Sequence, residues 1–198
     1  MYVKRVFDVV VAFLGVLFLL VPFVIVAILI IADSKGGVFY RQTRVGRDKV
    51  NFELLKFRTM YTNSDRLGLL TVGDHDRRIT KFGYWLRKYK IDELPQLLNV
   101  LKGDMSFVGP RPEVVKYVEL YDLQQVRVLS VKPGITDWAS IEFSEENELL
   151  AKSADPESFY INEIIPSKIM QNLKYINKHD IWVDLTIIFL TLKKIMIR

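Results

Sequence analysis

The chain opens on an unbroken apolar run: Val9 to Ala32 contains no charged residue. That exceeds the roughly 20 residues needed to cross a hydrocarbon core. A cleaved signal peptide would have a shorter apolar core and a small-residue cleavage site, and this run ends in Asp33, Ser34 and Lys35 instead. The pattern then changes. Val38–Thr43 and Val50–Phe57 are rich in β-branched and aromatic residues, with Gly46, Arg47 and Asp48 between them, which predicts a β-hairpin. A polar loop follows over Asn63–Arg78, then a short basic, aromatic helix over Phe82–Lys90. Leu94, Leu97, Leu98 and Leu101 recur on one helical face, so a helix is expected over Asp92–Lys102, with Pro95 in its first turn and Gly103 just past its end. The corner Gly109-Pro110-Arg111-Pro112 leads into a helix expected from Glu113 to Leu129. Lys132-Pro133-Gly134 makes another turn, and Glu145–Lys178 reads as helical with breaks near Pro156 and Pro166. Trp182, Leu185, Ile188, Phe189 and Leu192 then recur at helical spacing ahead of Lys193, Lys194 and Arg198. This last stretch is too short to span; it suits a helix lying in a membrane interface or an ordinary core helix.

The flanks of the apolar run decide how it is disposed. Lys4 and Arg5 precede it; Lys35, Arg41, Arg44, Arg47 and Lys49 follow it. Positive flanks favour the cytoplasm, so a simple spanning helix would have to export one cluster. Pro22, near the middle, removes a backbone donor and allows a bend. A helix that enters and leaves on one side fits both features; a kinked spanning helix is the alternative. The expected organisation is a re-entrant membrane helix over 1–34 and a cytosolic body with interfacial helices over 35–198. The expected fold class is α+β, mostly helical, with one β-hairpin.

Composition narrows the chemistry. The 198 residues hold 50% hydrophobic side chains, enough for a real core. With no Cys and only His75 and His179, disulfides, thiolate nucleophiles and a multi-His zinc site are excluded. His75 reads as a surface loop residue and His179 as part of a turn. A formal charge of +5 and a pI near 9.3 favour an anionic partner: a phosphate ligand, acidic lipid or nucleic acid.

The candidate chemistry starts at Asp92 and Glu93. Adjacent helical residues point about 100° apart, so these two could divide labour, one as nucleophile and the other as a ligand for Mg²⁺. Equally, they could merely cap the helix and complement its dipole. Lys56 and Arg58 share one face of the second strand and could neutralise a diphosphate, or form a solvated face. Arg111, held between two prolines, suits bidentate phosphate contact or marks a rigid turn. Arg87 and Lys88, about a turn upstream, could screen the carboxylates.

These residues carry a resemblance. KFRTM over 56–60, DELPQLLNVLKGDMSFVGPRP over 92–112 and KPGIT over 132–136, with the Lys-Arg start and the Pro-interrupted apolar helix, resemble the bacterial sugar transferase family, in particular its small monotopic phosphoglycosyl transferases. The likeness covers nearly the whole chain. It implies transfer of a sugar 1-phosphate from a UDP-sugar to undecaprenyl phosphate at the inner leaflet, on the cytoplasmic face of the bacterial cytoplasmic membrane. UMP is released, and glycoconjugate assembly begins. It also implies a re-entrant helix broken at Pro22, a Mg²⁺ cofactor, and no nucleic acid partner. Residue by residue, Asp92 matches the nucleophile that forms an aspartyl-phosphosugar, and Glu93 its Mg²⁺-associated neighbour. Lys56, Arg58 and Arg87 match basic site residues, Arg111 the diphosphate-linked Pro-Arg-Pro, and Asp184 an Asp of the C-terminal helix. The chain departs from better-known members at Asn172, which stands near Tyr175 where those carry an Asp, and in DWASIEFSEENELL after Thr136. No particular sugar follows. The competing reading, a non-catalytic membrane-anchored protein that binds anionic lipid or nucleic acid, leaves DELPQ and PRP without a purpose.

Overall fold

A computed structural model describes residues 2–64, 68, 70–73 and 76–197. His75 and part of the polar loop lie outside these residues. The fold is mostly helical α+β, with two small sheets and one long apolar helix. That helix, α1 (Tyr2–Asp33), continues through Pro22. It is the one described helix long and apolar enough to cross a membrane.

Helix α1 does not stand apart from the body. Asp8, Ala12, Val16, Leu19, Phe23, Val26 and Ile30 follow each other at three- and four-residue steps, and all face the rest of the chain. The opposite face leaves Phe13, Leu17, Phe18, Val21, Val24 and Ile28 more than half exposed. An apolar surface of that extent marks a membrane or protein contact. Both helix ends are tied down. Lys4 donates to Val108 O at 3.0 Å, Arg5 to Val100 O at 2.7 Å, and Asp8 accepts from Phe107 N at 3.1 Å. At the other end Asp33 accepts from Phe82 N at 3.0 Å, and the Arg58 guanidinium donates to four carbonyls between Ile30 and Gly37.

The hairpin forms where the alternation placed it. Strands β1 (Phe39–Val45) and β2 (Asn51–Phe57) pair antiparallel, Phe39 opposite Phe57. Helix α2 (Lys81–Lys88) is capped by Thr80, whose hydroxyl accepts from Gly83 N at 3.0 Å. Helix α3 is shorter than expected, Gln96–Lys102, because Ile91–Glu93 forms a separate 3₁₀ turn. A second sheet, which the periodicity did not announce, pairs β3 (Ser106–Val108) parallel to β4 (Gly134–Thr136). Three-residue strands are too short to show alternation.

The helix expected over 113–129 is not there. Only α4 (Val115–Val118) and a 3₁₀ segment, Gln125–Ser130, are helical. Between them Asp122 Oδ1 accepts from the backbone N–H groups of Gln124 and Gln125 at 2.7 and 2.8 Å, closing a local turn that competes with the helix. Short helices α5 (Trp138–Glu142), α6 (Glu146–Ala151) and α7 (Pro156–Phe159) lead through a π turn into α8 (Ile165–Lys178), with Pro166 in its first turn. The main core packs α8 and its π turn on α4 and α6 through Tyr117, Leu150, Ile164 and Ile169. Helix α9 (Ile181–Met196) buries Asp184 and Ile187 while exposing Trp182, Phe189 and Leu192. The helix thus has one face packed in the body, where Val183 and Ile188 join Ile187, and one apolar face left exposed.

Candidate active site

The carboxylates sit on the turn between α2 and α3, and the backbone there is tightly specified. Lys90 adopts the left-handed conformation at φ 58°, uncommon for a side chain this long, and so reverses the chain out of α2. Pro95 occupies the N-cap position of α3, so neither Asp92 nor Glu93 caps that helix. On the far side Asn99, wholly buried, accepts from Leu55 N at 3.0 Å and donates to Glu53 O at 2.7 Å, fastening α3 to β2. The turn is thus held between two helices and a strand. Its carboxylates are placed by packing rather than by a flexible loop.

The two carboxylates differ completely in their surroundings. Glu93 is fully engaged. Lys56 Nζ donates to its Oε1 at 3.0 Å, and Arg111 grips both oxygens, Nη1 reaching Oε2 at 3.1 Å and Nη2 reaching Oε1. Burial alone would push the Glu93 carboxyl up, but Arg111, Lys56 and Lys90 together hold it well below the usual glutamate range. Asp92 is also buried, yet its Oδ1 has no hydrogen-bond partner among the described residues. Burial first, and then the Glu93 charge, push its carboxyl up; Lys56, Arg87 and Lys90 oppose this. A buried acceptor with no partner is costly to keep, and such atoms concentrate at functional sites. Burial also lowers the Lys56 ammonium, against the pull of Glu93.

Arg111 is positioned by its own segment. Its backbone N–H donates to Asp137 Oδ2 at 3.1 Å, while Asp137 Oδ1 accepts from Ser140 N at 2.6 Å and caps α5. One side chain therefore anchors both the Pro-Arg-Pro corner and the segment after Thr136. The two loops approach closely enough that only glycine fits: a Cβ on Gly134 would lie 2.1 Å from Gly109 N.

Lys56, Arg87, Asp92, Glu93 and Arg111 line one cleft of about 1110 Å³, which runs past Asp137 toward Lys194 on α9. The side chains of Arg87 and Lys90 make no hydrogen bond or ion pair among the described residues and act on Asp92 through their charge alone. Two expected site residues are placed differently. Arg58 borders the cleft, but its guanidinium is buried and spent on the carbonyls of Ile30, Ser34, Lys35 and Gly37. Asp184 lies off the cleft; it pairs with Lys4 and accepts from Tyr175 OH at 2.5 Å. Pro22 sits within the continuous α1. Asp137 and Lys90 were not singled out in sequence. An Asp just before a helix start is a legible cap signal, whereas a left-handed Lys has none.

For a divalent cation, the described residues hold no cluster of three or more His, Cys, Asp or Glu. The donor set is Asp92, whose Oδ1 is unclaimed, beside Glu93, whose oxygens are already shared with two cations. That is too few for an all-protein cage. It fits Mg²⁺, which binds through one or two carboxylates with substrate phosphates and water completing the shell.

Comparison with known proteins extends over the same residues. The profile of the family described as bacterial sugar transferase matches residues 1–198. A UDP-N-acetylgalactosamine-undecaprenyl-phosphate N-acetylgalactosaminephosphotransferase of Aeromonas hydrophila is 35% identical over 198 residues, covering 98% of this chain and 44% of that protein. A UDP-glucose:undecaprenyl-phosphate glucose-1-phosphate transferase of Escherichia coli is 36% identical, covering 96% of this chain and 39% of its own length. The chain therefore spans less than half of those two relatives. An uncharacterised sugar transferase of Bacillus subtilis is 38% identical and aligns over 100% of this chain and 89% of its own. With the match unbroken from the apolar helix through the carboxylate turn to the last helix, this chain belongs to the bacterial sugar transferase family.

Proposed function

We propose that the chain transfers a sugar 1-phosphate from a UDP-sugar to undecaprenyl phosphate, releasing UMP, through a covalent intermediate on Asp92. The product is a polyprenyl diphosphosugar, the starting lipid of a glycoconjugate. One observation carries the reading: of two adjacent buried carboxylates on the cleft wall, one is locked by two cations and the other keeps an oxygen unpartnered. The relatives' names supply the donor and acceptor classes.

Both steps follow from this arrangement. Lys56, Arg87, Lys90 and Arg111 outnumber Asp92 and Glu93, so the cleft attracts a diphosphate. A diphosphate near Arg87 and Lys90 has two unpaired donors to meet it. An Asp92 carboxylate oxygen attacks the β-phosphorus, and the bond from that phosphorus to the bridging oxygen breaks. UMP leaves with the electron pair. An oxygen of undecaprenyl phosphate then attacks the same phosphorus, and the bond to Asp92 breaks, restoring the carboxylate. Glu93 is not a base here, since its oxygens are held by Lys56 and Arg111. It fixes those two cations at the position where charge develops on the phosphate. Asp92 and Glu93 are the residues that would hold a Mg²⁺ ion, which when bound would supply charge neutralisation for the approach of one anion to another.

Membrane placement supports the same reading. Both ends of α1 are bonded to one body, and its outward face is apolar. Both facts suit a helix held at one leaflet by the body to which its two ends are bonded, and the exposed row on α9 suits the interface beside it. The test is UMP release from a panel of UDP-sugars by detergent-solubilised protein with Mg²⁺, with and without undecaprenyl phosphate. The expected result is a stoichiometric UMP burst without the lipid and turnover with it, both absent in Asp92→Asn. Turnover that survives Asp92→Asn overturns the reading.

A further inference from the structure

The proposed reaction needs an amphiphilic acceptor to travel from the bilayer to Asp92, and α2 is the element between the two. Phe82 and Leu86 pack it against Phe23, Val26 and Ile30 of α1. Beside that seam, Trp85 and Tyr89 are 51% and 43% exposed although both rings are large. They stack, with centroids 6.1 Å apart and an interplanar angle of 11°. Lys88 Nζ stands 5.4 Å from the Trp85 centroid and 5.8 Å from that of Tyr89. No carboxylate among the described residues pairs with this ammonium. Arg87 and Lys88 both line the cleft that holds Asp92, while Trp85 and Tyr89 stand outside it. Tyr89 is followed directly by the left-handed Lys90 that delivers the chain to the carboxylate turn.

We infer that the Trp85–Tyr89 platform, with Lys88 where it meets the rim of the cleft, is the docking site of the polyprenyl phosphate acceptor. The inference rests on the transferase reading for the reason an acceptor comes here. The occupant is a prenyl phosphate because the surface has both of its chemistries in one place. A flat aromatic platform, on the helix that Phe82 and Leu86 pack against α1, takes an isoprenoid chain. A cation at its rim takes the phosphate. A soluble nucleotide would have no use for the exposed platform. Bulk phospholipid would not need the cation beside the turn that carries the nucleophile. Lys88 and then Arg87 lead the phosphate from the interface to Asp92.

Two measurements on the full chain test it. In the first, protein in phosphatidylcholine nanodiscs is titrated with undecaprenyl phosphate, and the Trp85 fluorescence signal is taken as the difference between wild type and Trp85→Phe. A saturable change, weakened about tenfold in Lys88→Ala, supports the site. No saturable change, or the same change with phosphatidylglycerol, overturns it. In the second, Trp85→Ala/Tyr89→Ala is assayed by half-reaction. The UMP burst from the UDP-sugar should keep its amplitude and rate, while transfer to undecaprenyl phosphate slows about tenfold, with Trp85→Phe/Tyr89→Phe recovering most of it. Equal loss in both half-reactions, or none in the second, overturns the inference. If wild type binds the prenyl phosphate but no UDP-sugar yields UMP, the transferase reading fails and the docking site stands.

Discussion

Replacing Arg58 by Ala distinguishes two roles for a residue whose sequence context points to substrate. Its guanidinium donates to Gly37 O and Lys35 O at 2.6 Å, Ser34 O at 2.7 Å and Ile30 O at 3.3 Å, and the side chain is 7% exposed. One acceptor, Ile30 O, lies in the last turn of α1 and also accepts from Ser34 N at 3.2 Å; the other three belong to the loop that follows. A cation there also complements the helix dipole. Removing it strands several carbonyls at once. At about 1 kcal/mol net for each of the bonds, the loss is about 4 kcal/mol. For a chain of this size that corresponds to a fall of about 8–16 °C in the unfolding midpoint. Arg58→Lys, a single point donor, should lose about half as much. The assay is thermal unfolding in detergent followed by intrinsic fluorescence, paired with the UMP burst measured well below the midpoint. A folded Arg58→Ala protein should keep the donor KM of wild type. An unchanged midpoint with a lost burst or a raised donor KM would refute the capping role and return Arg58 to the substrate.

Three further outcomes follow from the same geometry. Because burial and the Glu93 charge push the Asp92 carboxyl up, and attack needs the ionised form, the burst rate should rise with pH through a midpoint above the usual aspartate range; Glu93→Gln, which removes the like charge and frees Lys56 and Arg111, should move that limb to lower pH, and an unmoved limb in the pH–rate profile would refute the coupling. Lys4→Met leaves Asp184 buried with only Tyr175 as donor and should cost about 3 kcal/mol in thermal or denaturant unfolding. Gly83→Ala would put a Cβ 2.1 Å from Thr59 O, a backbone atom that cannot move aside, and should cost at least about 2 kcal/mol and shift α2; a variant that melts like wild type would show that helix and strand end can separate freely.

The legible parts of the chain were those with long-range periodicity or fixed backbone chemistry. The charge-free run became α1, the β-branched alternation became the hairpin, and Pro-Arg-Pro did hold one guanidinium at the carboxylates. What sequence could not give was where a side chain's hydrogen bonds go. Lys56 and Arg58 share a strand face by parity, yet one reaches Glu93 and the other turns to the end of α1. Parity fixes a face of the sheet; the partner depends on what the tertiary fold sets opposite. The β3–β4 sheet and the loss of a helix over 113–129 have the same origin, in short pairings and one Asx turn that no periodicity records.

The tethering of α1 also bears on how the chain is made. Its N-terminal contacts are Phe107, Val108 and Asp184, distant by 99, 104 and 180 residues. A helix this apolar emerges from the ribosome long before those partners exist. It is therefore complete as a helix, with an apolar face to be covered, before the body assembles against it. Closing Lys4 onto Asp184 comes after the contacts with Phe107 and Val108, since α9 follows them in the chain. The membrane then acts as a template for the fold as well as its resting place. Refolding from denaturant should be far slower, and more prone to aggregation, without micelles or vesicles than with them.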